Sequence, residues 1–161
     1  MTRQLAGSML ALALLKPGAV APTTEPSIQG VWHAVEVAGP GPQTRTELQA
    51  NLTILTAHHY SRVNVESDRP RPVLPDASTA TADELRRVWG PFAGEAGTYE
   101  LSDGIIVMRP TVAKNPTAMA PGAFTTLAYR RDGDTLWVTY RRNQNGPIDD
   151  PVTVTLVRIR E

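Results

Sequence analysis

Residues Val31–Val37 alternate along the chain, with Val31, His33, Val35 and Val37 on one side and Trp32, Ala34 and Glu36 on the other. That period of two is what a β-strand imposes on its two faces. The signature returns repeatedly. Asn51–Thr56 and His59–Val65 read as two strands with a bend around Ala57-His58, and Val152–Arg160 is a closing β-branched strand. Ala96–Ser102 and Ile105–Arg109 flank Asp103-Gly104, and Ala123–Arg131 and Asp134–Arg142 flank Asp132-Gly133. Asp-Gly favours the type I′ turn whose twist matches that of two paired strands, so both pairs read as hairpins. One segment departs from this period. Thr81 and Glu84 form a capping box, and Leu85, Val88 and Trp89 share one helical face, which predicts a short helix over 82–89 ended by Gly90-Pro91.

The expected class is therefore all-β: an eight-stranded, mainly antiparallel up-and-down barrel with one short helix near residues 82–89. Closure removes the exposed edges that an open sheet of this size would carry. The chain has 161 residues, enough for one domain, and its 14 prolines exceed the usual share of about 5%. They fall outside every strand proposed above, as expected where a missing N–H ends a ladder. Residues 1–26 read as a separate leader. Arg3 precedes the apolar run Leu5–Leu15, which is shorter than the about 20 residues a membrane span needs, and Ala19-Val20-Ala21 supplies a small-x-small cleavage pattern. The expectation is an exported protein, periplasmic or secreted, with 27–161 as the barrel and no membrane insertion once the leader is removed; if the leader is not a signal peptide, the protein would be cytoplasmic.

Charge narrows the partners. Sixteen Lys plus Arg balance sixteen Asp plus Glu, so no electrostatic footprint for nucleic acid is present. The chain has no cysteine, which excludes disulfides, thiolate metal sites and cysteine nucleophiles.

Gly30-Val31-Trp32 at the first strand is a G-x-W, as at the start of a lipocalin barrel. Behind it come Leu52-Thr53-Ile54-Leu55-Thr56 running into His59-Tyr60-Ser61, then Arg69-Pro70-Arg71-Pro72 and Trp89-Gly90-Pro91-Phe92. Gly97-Thr98-Tyr99-Glu100, Val112-Ala113-Lys114-Asn115-Pro116 and Gly133-Asp134-Thr135-Leu136 complete the series. In this order of pieces, residues 28–160 resemble the bacterial lipocalin-like domain family. The resemblance implies a calycin-type barrel with an internal cavity. It also implies an arginine of the last strand packed on Trp32, a part open to Arg158 or Arg160. It carries over no catalytic residue.

Candidate site residues are those whose chemistry suits a cavity. His59 shares a face with Ser61, Val63 and Val65, a more apolar set than His58, Tyr60, Arg62 and Asn64, which makes His59 the expected cavity histidine. Tyr60, Tyr99, Tyr129, Tyr140 and Trp137 supply flat apolar area with a polar tip, suited to an amphipathic ligand. Parity places Tyr140 with Leu136 and Val138 and Trp137 with Thr135 and Thr139, and leaves open which face is inside. Lys114-Asn115-Pro116 reads as a lid or as a merely stiff loop. Adjacent histidines on a strand point to opposite faces, so no metal site is expected, and no cofactor motif is present. The leading expectation is a noncatalytic binder of a small apolar or amphipathic molecule. The alternatives are a cofactor-independent cyclase or isomerase using His59 and a tyrosine, and a barrel that forms a homodimer through an outer apolar face.

Overall fold

The structure is a computed structural model that describes residues 27–41 and 44–160. The leader proposed for residues 1–26 lies outside them. Ten strands run in chain order: β1 (Gly30–Ala38), β2 (Thr44–Arg45), β3 (Asn51–Leu55), β4 (His59–Val65), β5 (Phe92–Ser102), β6 (Ile105–Ala113), β7 (Thr125–Asp132), β8 (Thr135–Asn143), β9 (Gly146–Pro147) and β10 (Thr153–Ile159). Helix α1 spans Ala82–Trp89, and a 3-10 turn spans Pro116–Met119. Strands β1, β3–β8 and β10 pair antiparallel in sequence, and β10 pairs with both β8 and β1, which closes an eight-stranded barrel. The two-residue strands β2 and β9 only extend its rim, on β1 and β8.

Helix α1 forms where the capping box places it. Thr81 Oγ1 accepts from the Glu84 N–H, and the Glu84 carboxylate accepts from the Thr81 N–H. These reciprocal bonds satisfy donors that the first turn leaves without intrahelical partners.

Two expectations about breaks between elements are corrected. Asp103 and Gly104 both have positive φ (50° and 75°), as a type I′ turn demands, but in the β7–β8 hairpin Asp132 pairs with Thr135. The turn there is centred one residue later, on Gly133-Asp134, with positive φ (54°) at the glycine alone. Second, Pro110 lies inside β6. It is tolerated because β6 pairs with β7 only as far as Met108, and because Pro110 opposes Gly97 next to a register shift between Ala96 and Gly97. A Cβ on Gly97 would sit 2.0 Å from the Arg109 carbonyl oxygen, so the bulge requires glycine.

The core fills one end of the barrel. Ile28, Trp32, Leu55, Tyr60, Tyr99, Ile106, Met108, Leu127, Leu136 and Leu156 are buried there, each an inward position of its strand or entry segment. Trp32 Nε1 donates to the Ile28 carbonyl at 2.9 Å, and the Arg158 guanidinium lies 4.3 Å from the Trp32 ring centroid. Arg158 also donates to the Gln29 carbonyl at 2.8 Å and lies 3.5 Å from the Asp134 carboxylate. Of the two arginines left open, Arg158 therefore covers Trp32, while Arg160 pairs with Asp134 from the exposed side. Gly30 has φ 141°, and a Cβ there would lie 2.0 Å from Arg158 Nη1. The glycine of G-x-W is thus the space the arginine occupies.

Gly30→Ala is expected to destabilise the barrel by about 2 kcal/mol or more, through both the strained φ and the collision. Urea denaturation checks this. In an Arg158→Ala background, which removes the collision and leaves the backbone strain, the same substitution should cost less.

Candidate functional site

The hairpin turns at 56–58, 103–104 and 133–134 lie at the plugged end, and the long connections lie at the other. Between them is a cavity of about 520 Å³, within the range of ligand sites. Its deep part is apolar, lined by Leu55, Ile106, Met108, Leu127, Leu136 and Leu156. Nearer the mouth the lining turns polar, with Asn51, Thr53, Arg62, Asn64, Glu95 and Tyr140.

The polar belt is organised by β4 and β5, whose register sets Arg62 opposite Glu95. Arg62 Nε lies 3.0 Å from Glu95 Oε1, with the two side chains 28% and 15% exposed. The Tyr60 hydroxyl donates to the same oxygen at 3.0 Å, and Arg62 Nη1 donates to the Tyr140 hydroxyl. The guanidinium also lies 5.5 Å from the Tyr140 ring centroid. Burial works to lower the Arg62 pKa, but the Tyr140 hydroxyl and the Glu95 carboxylate outweigh it and hold the group more firmly protonated than a free arginine. Burial, the Glu95 charge and the hydrogen bond to Glu95 push the Tyr60 phenol well above its ordinary range. Burial alone raises that of Tyr99, whose hydroxyl donates to the Thr56 carbonyl.

Asn51 completes the belt by a different route. Its side chain accepts from the Ala34 N–H at 2.6 Å and donates to the Ala34 and Gln49 carbonyls at 3.2 and 3.0 Å. It replaces ladder bonds where β1 shifts register between Ala34 and Glu36, beyond the short stretch paired with β3. At the mouth, the Lys114 ammonium donates to the carbonyls of Trp89, Gly90 (2.9 Å) and Phe92 (2.6 Å). Those carbonyls surround the end of α1, so Lys114 braces the helix against the loop that follows β6.

The expected site residues separate. Tyr140 lines the cavity beside Val138. Tyr60, Tyr99 and Tyr129 belong to or pack against the core below it. Trp137 points the other way, with the Arg130 guanidinium 3.6 Å from its ring centroid. His59 is exposed at the start of β4, on the face opposite Tyr60. Among the described residues no histidine lines the cavity, so the expected histidine–tyrosine pair is not assembled there. An apolar count selects the wrong face of β4 because it assumes a dry interior. Here Tyr60 and Arg62 turn inward onto Glu95 and Tyr140, and Val63 is left 38% exposed. Arg62, Glu95 and Asn51 were not singled out from sequence; the available signal was the shared parity of Tyr60 and Arg62 on one strand.

No family model matches the chain, and no curated protein matches it. Among solved structures it is similar to the crystal structure of an uncharacterized protein from Bacteroides eggerthii DSM 20697, at 11% identity and a TM-score of 0.45, over 81% of this chain and 98% of that one.

The Tyr60 environment fixes an alkaline response. Because the native phenol holds its proton above its ordinary value of 10.0, the unfolded chain ionises first as pH rises. Stability should then fall above about pH 10, at up to about 1.4 kcal/mol per pH unit for such a group. Tyr60→Phe removes that share, so urea denaturation between about pH 9 and about pH 11.5 should show a shallower loss in the variant.

Proposed function

We propose that this protein is a lipocalin-like carrier that holds a small apolar or amphipathic molecule inside the barrel, apolar part inward. The observation that carries this reading is the division of one open cavity into a leucine-rich floor and a polar belt at Arg62, Glu95 and Tyr140. An apolar chain entering the floor gains about 25 cal/mol per Å² removed from water, while a polar head at the belt keeps hydrogen-bond partners. The lipocalin-like part of the reading is supported by Gly30, Trp32 and Arg158, which meet as the G-x-W resemblance implies. Export through the leader at residues 1–26 is proposed with it, and would place the carrier in the periplasm or outside the cell.

Val138 lines the cavity next to the core without being fully buried, so a larger side chain there projects into free space. Wild-type protein should take up the uncharged dye N-phenyl-1-naphthylamine saturably, with enhanced dye fluorescence. Val138→Trp should weaken uptake by about tenfold or more while its far-UV circular dichroism stays unchanged. Equal uptake by the folded variant would place the dye outside the barrel and refute the reading.

A further inference from the structure

We propose that the polar belt selects uncharged amphiphiles bearing a hydroxyl or carboxamide head and rejects carboxylates of the same chain length. This rests on the binding reading above and adds the class of head group.

The charge balance of the cavity leads to it. The charged residues that line it are Arg45, Arg62, Glu66 and Glu95, two of each sign. Arg45 and Glu66 are exposed at the rim; inside, the guanidinium of Arg62 already has its counter-ion. An alkyl carboxylate placed against Arg62 would also lie beside Glu95, because Glu95 Oε1 is only 3.0 Å from Arg62 Nε. Attraction to one and repulsion from the other largely cancel, whereas the cost of removing the ligand's charge from water remains. The geometry agrees. A carboxylate is best held by the planar fork of a guanidinium, and here the Nε side of that fork is turned to Glu95 while Nη1 donates to Tyr140.

Hydrogen-bonding capacity for a neutral head is nonetheless present. The Tyr60 and Arg62 contacts of Glu95 both converge on Oε1, and among the described residues Oε2 accepts no hydrogen bond. Tyr140 accepts from Arg62 and so keeps its own O–H to donate, and the Arg62 Nη2 donors make no hydrogen bond among the described residues. A free acceptor and free donors therefore belong to one linked cluster of side chains on the cavity wall. A hydroxyl or a carboxamide both donates and accepts, and satisfies this set without adding charge. A carboxylate only accepts, and leaves Oε2 facing a second anion.

Displacement of N-phenyl-1-naphthylamine by 1-decanol, decanamide and sodium decanoate at about pH 8 tests this. The alcohol and the amide should displace the dye from wild-type protein at concentrations about tenfold or more below that of decanoate. Glu95→Gln keeps the shape and an oxygen for Tyr60 but leaves Arg62 without its counter-ion, so decanoate should gain about tenfold relative to decanol. Decanoate within about threefold of decanol on wild-type protein, or an unchanged ratio in folded Glu95→Gln, would overturn the head-group proposal while leaving the carrier reading intact. The wild-type ratio decides alone if the variant does not fold. Failure of the dye to enter wild-type protein would instead overturn the carrier reading, and the head-group proposal with it.

Discussion

The stacking of Arg158 on Trp32 is the contact on which the barrel's asymmetry depends. It joins the first barrel strand to the last, and through Asp134 it also holds the β7–β8 hairpin. Trp32 and Ile28 are both fully buried beneath it, so the chain crosses this end before β1 begins and stops it with side chains. A guanidinium over an indole is worth about 0.5–2 kcal/mol, more as water is excluded. Its larger effect is geometric. With one end filled, the unfilled volume of the barrel collects at the other, where the connections are long.

That geometry explains why an ion pair is found inside a barrel of leucines. An unpaired arginine at the position of Arg62 would face a desolvation cost of several kcal/mol, and only a counter-charge with further hydrogen bonds offsets it. The β4–β5 register supplies Glu95 directly opposite, and Tyr60 and Tyr140 come from below and across. Each member constrains another. Tyr60 fixes the carboxylate that pairs with Arg62, and Arg62 fixes the Tyr140 hydroxyl at the cavity wall. The belt is thus held in place by its own contacts, so a molecule bound there as proposed would meet groups already ordered.

Much of this was legible in the residues, for identifiable reasons. Strand β4 and helix α1 were readable to their ends, because a capping box and a period-two run are local signals. Asp103-Gly104 was equally local. Asp132-Gly133 misled by one residue because the register of β7 on β8, a pairing of two strands, chose the turn. Pro110 reads as the end of a strand because its tolerance depends on where β7 stops pairing with β6 and on the missing side chain of Gly97, neither visible at residue 110 itself.

Alternation along β4 and β8 determined that Tyr60 keeps company with Arg62, and Tyr140 with Val138, since side chains two apart on a strand share a face. Which of the two faces is inside, it did not determine. A strand considered alone has no interior; the inside is defined when eight strands close and each face meets the others. That closure turned His59 outward, set Trp137 under Arg130, and brought Arg62 to Glu95 from a distant part of the chain. Sequence specified the strands, the helix and the glycine that makes room for an arginine. Tertiary structure decided which side chains line the cavity, because a charge is tolerable there only beside a partner that the fold alone can supply.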